Sequence, residues 1–196
     1  MPEPVDALKR KIRAALDGRP RKTVEIDGFV SAAVLLLLLD RPGGVQVLFA
    51  KRSEQVANHK GQISFPGGIA EDRDPSLLHT ALREAQEEIG LPVDSVEMLG
   101  SLDDMVTVVT RFVITPFVGL VGSPLTYMPD GREIERVIEV PLQTLLDPAN
   151  FRTELWVRDG AHQPMYFYDY RGEIIWGATA GILKQFLDLV FGVQAC

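Results

Sequence analysis

Hydrophobic residues in this chain follow two periods. Between residues 75 and 89 apolar side chains return at helical spacing, and Leu77, Leu78, Ala81, Leu82, Ala85 and Ile89 make one stripe. The same period predicts a helix near 5–17, with Leu8, Ile12, Ala15 and Leu16 on one side, and another near 177–191, carrying Ile182, Leu183, Phe186, Leu187 and Val190. Strand patterns fill the space between. Residues 32–39 are apolar throughout, stop at the turn signal DRPGG, and are followed by the alternating VQVLFAKR, so strands near 29–39 and 45–51 are predicted to pair as a buried hairpin. Further strands are predicted near 94–102, 112–121 and 134–140. Helices interleaved with strands place the chain in the α/β class.

The central helix carries a charge pattern that ordinary helix physics does not favour. Asp74 is expected as its N-cap, Pro75 as its first residue, and Gly90 followed by Leu91 and Pro92 as its stop. Glu84, Glu87 and Glu88 then lie in the last two turns, where the helix dipole favours cations and like charges at i and i+4 repel. At about 100° per residue they share a sector roughly 100° wide beside the apolar stripe. Three oxygen donors converging beside a core suit a hard divalent cation such as magnesium; the alternative is a solvated acidic face. Just upstream, SFPGG sets Gly67 and Gly68 before the loop AEDRD, and paired glycines let the backbone approach a ligand closely.

In these residues the chain resembles the Nudix hydrolases, whose box reads G, five residues, E, seven residues, then R-E-apolar-x-E-E-x-G-apolar. Arg83, Glu84, Ala85, Glu87, Glu88, Gly90 and Leu91 match its second half. With Gly68 as the opening glycine, Asp74 stands where glutamate is expected, and eight residues separate it from Arg83. That insertion, and LFAKRSEQVANHKGQISFPGG upstream, resemble the coenzyme A pyrophosphatase branch at Leu48, Arg52, Ser53, Gly61, Phe65, Pro66, Gly67 and Gly68. The chain departs from the branch at Ala57, where arginine is expected, and at Ala50, where threonine is usual. VTVVTRFVITPFVG, EIERVIEVPL and IIWGATAGIL also resemble branch segments, so the likeness runs over about residues 29–190.

The resemblance implies an α/β/α sandwich with a mixed central sheet, and hydrolysis of the pyrophosphate bond of coenzyme A or its derivatives. Another nucleoside diphosphate derivative such as ADP-ribose, or a non-catalytic nucleotide-sensing domain, are the other readings. It implies Mg2+, with Mn2+ able to substitute, held by Glu84, Glu88, Glu87 and the Gly68 carbonyl. Glu87 and Arg83 are the expected catalytic residues. For Arg83 the choice lies between phosphate contact and an ion pair with Glu71 or Asp74 that fixes the loop. Asp103, Asp104, Glu133 and Glu135 join Glu87 as candidates for the general base. Lys51, Arg52, His59 and Lys60 bracket the loop before Gly61, either as substrate-binding cations or as solvated charges.

Length and composition bound these readings. The chain of 196 residues fits one domain, expected over 25–196 behind an N-terminal helical extension at 1–24. A net charge of −7 argues against broad nucleic-acid binding. The longest apolar run is far short of the roughly 20 residues of a membrane helix, no leader pattern opens the chain, and the single cysteine is Cys196, so a cytoplasmic protein is expected. The N-terminal helix is expected to pack on the domain or on a second subunit in a homodimer. His79 and His162 read as surface residues. Trp156, Phe167, Tyr168, Tyr170 and Trp176 could stack on an adenine, or serve the core.

Overall fold

The computed structural model describes residues 3–54, 60–122, 125–158 and 161–192. The expectations placed on Ala57, His59 and Cys196 fall outside those residues. In chain order the elements are α1 (Val5–Leu16), β1 (Val30–Leu39), β2 (Gln46–Arg52), β3 (Ile63–Ser64), β4 (Gly67–Ile69), α2 (Leu77–Ile89), β5 (Glu97–Ser101), β6 (Met105–Thr107) and β7 (Phe112–Val121). There follow β8 (Ile134–Pro141), α3 (Leu142–Leu146), β9 (Phe151–Arg158), β10 (Ala161–Tyr170), β11 (Glu173–Trp176) and α4 (Gly177–Phe191).

The unbroken apolar run of β1 reflects its position at the centre of the main sheet, covered on both faces. Ala33, Leu35, Leu37 and Leu39 pack under α2 with Ala81, Ala85 and Ile89. Leu36 and Leu38 point the other way, into a larger core with Leu8, Ile12 and Leu16 of α1 and Leu183, Phe186 and Leu187 of α4. Helices on both sides of a sheet make the α/β/α sandwich. The sheet is mixed. β1 runs parallel to β7 from Val30↔Phe112 to Leu39↔Val121, whereas its pairings with β2 and β4 are antiparallel. The strand order is β3-β2-β1-β7-β5, with β4 on β1, β6 on β7 and β8 on β2.

Three sequence expectations change. The central helix starts at Leu77 rather than 75, because Ser76, not Asp74, is its N-cap: the Ser76 hydroxyl accepts from the His79 amide at 3.3 Å. The strand expected over 94–102 narrows to β5, preceded by a 3-10 turn at Val93–Ser95. The third change is an antiparallel sheet that the periodicity did not announce, β11-β10-β9, standing beside the main one. The segment after α1 is tied down by charge. Arg19 pairs with Asp103 at 2.6 Å and Arg21 with Asp104 at 2.5 Å, while the backbone amides of Lys22 and Val24 donate to the same two carboxylates. Among the described residues no helix is long and apolar enough to cross a membrane.

β4 is short because its sequence is built for contact rather than for length. The Leu35 amide donates to the Pro66 carbonyl and the Ala70 amide to that of Ser31, clamping both ends of β4 to β1. Gly67 sits at φ +151°, and a Cβ there would fall 2.3 Å from the Ala33 carbonyl oxygen. Gly67→Ala is therefore expected to destabilise the protein by about 2 kcal/mol or more, through backbone clash and a strained conformation. Urea unfolding of the two proteins measures the difference, and equal midpoints would show that β4 does not need this approach.

Candidate active site

The site is built where α2 crosses β4. Glu84 lies over Gly68 so closely that a Cβ on that glycine would stand 2.5–2.7 Å from the carboxylate atoms. One turn later Glu88 reaches back to β4, where its Oε2 accepts from the Gly67 amide at 3.1 Å. The i, i+4 spacing and the two glycines are thus halves of one contact: side chains that would otherwise occupy β4 are absent, and the carboxylates take the space.

Glu88 is only 7% exposed. Burial, together with the charges of Glu84 and Glu133, pushes its carboxyl up to about 8, against the opposing pull of the Gly67 amide and Arg52. Burial also raises Glu84, which Arg83 partly offsets. The nearest cation to Glu88 is Arg52, whose Nη1 is 4.0 Å from Oε1, while its Nη2 lies 3.3 Å from Glu133. Arg52 Nε is buried with no partner among the described residues.

Glu133 arrives from a distant part of the chain. The Met128 and Asp130 amides donate to the carbonyls of Ile89 and Glu88, capping the last turn of α2. Asp130 in turn accepts from the amides of Arg132, Glu133 and Ile134, and the Ser53 amide donates to the Glu133 carbonyl. This turn carries Glu133 to the rim of the site, beside Arg52 and 60% exposed.

Arg83 organises the other flank. Its Nε and Nη2 donate to the two oxygens of Asp74 at 3.0 Å each, and Nη2 also reaches the Ile69 carbonyl. Its Nη1 meets Glu84 at 2.8 Å, Glu87 at 3.1 Å and Glu71 at 3.6 Å. Asp74, which also accepts from Thr80 and the Glu71 amide, is held well below the usual carboxylate range, chiefly by Arg83. The residue expected to cap the helix instead anchors the arginine.

Not every expected residue joins the site. Glu87 is on the exposed shoulder of α2 between Arg83 and Arg73. Lys51 points to the opposite face of the sheet from Arg52 and pairs with Glu173 at 3.1 Å, because successive strand residues alternate sides. Lys60 is exposed on the loop before β3, and Glu135 is exposed on β8. Asp103 and Asp104 serve the segment after α1 on another part of the molecule. His79 and His162 are exposed. Tyr168 belongs to the main core, whereas Phe167 and Trp176 stack on the second sheet with Trp156 tilted against both.

The donor chemistry fits a hard cation. Glu84, Glu88 and the backbone at Gly68 offer oxygens only, and the elevated Glu88 carboxyl marks a place where negative charge lacks a counter-charge. Among the described residues no three acidic, histidine or cysteine side chains already close around one point. Two protein carboxylates leave room for water and phosphate oxygens, as magnesium prefers.

The model of the NUDIX domain matches residues 30–159. The chain is 36% identical over 159 residues to a protein of Photorhabdus laumondii named as an uncharacterized Nudix hydrolase, NudL, covering 81% of this chain and 84% of the relative. A Citrobacter koseri protein of the same name is 37% identical over 178 residues, 90% of each chain. Among solved structures, a MutT/nudix family protein from Enterococcus faecalis superposes with a TM-score of 0.56 at 15% identity, over 97% of this chain and 75% of that one. The M. smegmatis Nudix hydrolase RenU gives 0.51 at 24% identity, over 62% of this chain and 84% of its own.

The raised Glu88 carboxyl makes a pH-dependent stability. The folded state holds a proton that the unfolded carboxyl releases near its ordinary value, about 4.3, so metal-free protein loses stability as pH rises from there toward 8. Glu88→Gln removes this loss. In chelator at pH 8 the variant is expected to melt several degrees above wild type, with the gap closing toward pH 5. A gap that is constant over this range would show that Glu88 ionises as an ordinary carboxylate.

Proposed function

This chain belongs to the Nudix family, and from that membership we infer a magnesium-dependent pyrophosphohydrolase that cleaves coenzyme A and its derivatives. The products are 4'-phosphopantetheine, or its acyl form, and adenosine 3',5'-bisphosphate. The observation that carries the chemistry is the pair of carboxylates, half-buried Glu84 and buried Glu88, laid against Gly68 and Gly67. The coenzyme assignment is supported by the segment from Leu48 to Gly68 and by the eight-residue spacing between Asp74 and Arg83.

Glu84, Glu88 and the Gly68 carbonyl would hold the Mg2+ or Mn2+, and Glu87 is close enough in sequence to serve through water. When bound, the ion would supply charge neutralisation of the pyrophosphate and make the attacking water easier to deprotonate. Arg52 offers its guanidinium to a phosphate at the mouth of the site; its neighbours Glu88 and Glu133 keep it there. Glu133, accessible and close to both Glu84 and Glu88, takes the proton as the water oxygen forms its bond to phosphorus. The bond from that phosphorus to the bridging oxygen breaks, and the departing phosphate leaves with the electron pair. Arg83 does not touch the reacting atoms. It holds Asp74, Glu84 and the Ile69 carbonyl together and so fixes the loop against the helix.

Glu84→Gln and Glu88→Gln are each expected to lower kcat at least about a hundredfold, because each removes charge aimed at the developing phosphate charge. Glu133→Gln should lower kcat by a similar factor with KM nearly unchanged, whereas Arg52→Ala should raise KM. Steady-state assays with magnesium separate these outcomes. Wild-type turnover in both helix variants would sink the site.

The substrate is tested by comparing kcat/KM for coenzyme A, dephospho-coenzyme A and ADP-ribose, with products identified by mass. Coenzyme A is expected to be cleaved, with modest discrimination against the dephospho form, since alanine at position 57 removes a planar bidentate donor. Faster cleavage of ADP-ribose than of either coenzyme would overturn the coenzyme assignment and leave the pyrophosphohydrolase standing.

A further inference from the structure

The second sheet ends in an open edge strand. Among the described residues β9 pairs with β10 alone, and from Arg152 to Val157 every residue is exposed. Leu155 is 69%, Trp156 44% and Val157 67% exposed, with neither proline nor bulge in the strand. A regular edge strand with three consecutive exposed apolar residues is a template for pairing with another strand. Trp156 is already braced: its ring packs on Phe167 and Trp176 at 6.2 Å, and its indole N–H donates to Glu154 at 2.9 Å. Docking would cost it little side-chain freedom.

We propose that β9 pairs antiparallel with β9 of a second copy of this chain, joining the two three-stranded sheets into one of six strands across a two-fold axis. Backbone geometry limits the register. In an antiparallel pair, facing residues either both turn their amides toward the partner strand or both turn them away, so the axis must pass beside a residue and not between two. Three axes keep Leu155, Trp156 and Val157 within the paired strand. An axis at Glu154 sets that carboxylate against its own copy. An axis at Leu155 sets Arg152 opposite the partner's Arg158. Both oppose like charges, which destabilises a sheet.

The axis at Trp156 does neither. It sets Glu154 opposite the partner's Arg158 and Leu155 opposite the partner's Val157, each twice, with Trp156 beside its copy. The segment ELWVR is complementary to itself read backwards: acid to base, aliphatic to aliphatic, ring to ring. Charge therefore selects one register, and that register also covers the exposed apolar residues. The occupant is a second copy because the strand that best matches this edge is the edge itself.

The test is the oligomeric state of the full chain by sedimentation equilibrium over a range of micromolar concentrations. Wild type is expected to dimerise. Glu154→Arg and Arg158→Glu should each weaken association about tenfold or more, since each creates two like-charge pairs across the axis. The double reversal, Glu154→Arg with Arg158→Glu, should restore it. Circular dichroism of all four proteins confirms that the fold is kept. A monomeric wild type, a dimer indifferent to both single reversals, or a double reversal as weak as the singles would each overturn the proposal. None of these outcomes depends on hydrolysis.

Discussion

The site rests on one steric constraint: β4 can approach β1 closely, and α2 can lower two carboxylates onto β4, because positions 67 and 68 have no side chains. Remove that freedom and Glu84 and Glu88 have no room to lie against the sheet. With it, their negative charge is drawn out of water beside an apolar layer, where an unpaired ion is costly. The Gly67 amide gives Glu88 one hydrogen bond and Arg52 a distant countercharge, and neither prevents the carboxyl from rising to about 8. In the proposed reading that cost favours binding, since a divalent cation would restore the balance that burial upsets.

Two arginines divide the work around these acids. Arg83 is spent on structure: Asp74, Glu84, Glu87 and the Ile69 carbonyl occupy its fork, so it pulls the loop before the helix onto the helix itself. Arg52 has looser contacts, at 3.3 and 4.0 Å, and an Nε without a partner among the described residues. A guanidinium bound tightly on every side cannot meet a substrate phosphate, whereas one held loosely among carboxylates can. In the proposed mechanism this difference in saturation, more than the shared residue type, separates the positioning role of Arg83 from the phosphate-binding role of Arg52.

The sheet also sorts charges between its faces. Lys51 and Arg52 are neighbours in sequence, yet alternation sends Arg52 to the carboxylates under α2 and Lys51 to Glu173 on the other side. The strand that ends in Arg52 is paired with β8 through an irregularity between Lys51 and Arg52, and β8 begins just after Glu133. The acid and the arginine thus meet at the end of one ladder, while the turn carrying the acid is pinned to the last carbonyls of α2.

The sequence by itself determined the layers and the acids. An eight-residue aliphatic run closed by a turn signal and followed by an alternating segment reads as a strand covered on both faces, and the stripe on residues 77–89 specifies the helix that covers one of them. Glu84 and Glu88 were legible because a helix places i and i+4 together, and the paired glycines because they sit at a fixed distance before it. What no local pattern could decide was which distant groups complete the site. Glu133 is brought in by hydrogen bonds between a turn and a helix end about 40 residues earlier in the chain, Asp74 leaves the helix cap for Arg83, and Lys51 is turned away by strand parity within a bulged ladder. The second sheet escaped the reading for the same reason: its strands are exposed on much of their surface, so burial imprints little alternation on them, and only their mutual hydrogen bonds reveal that they pair.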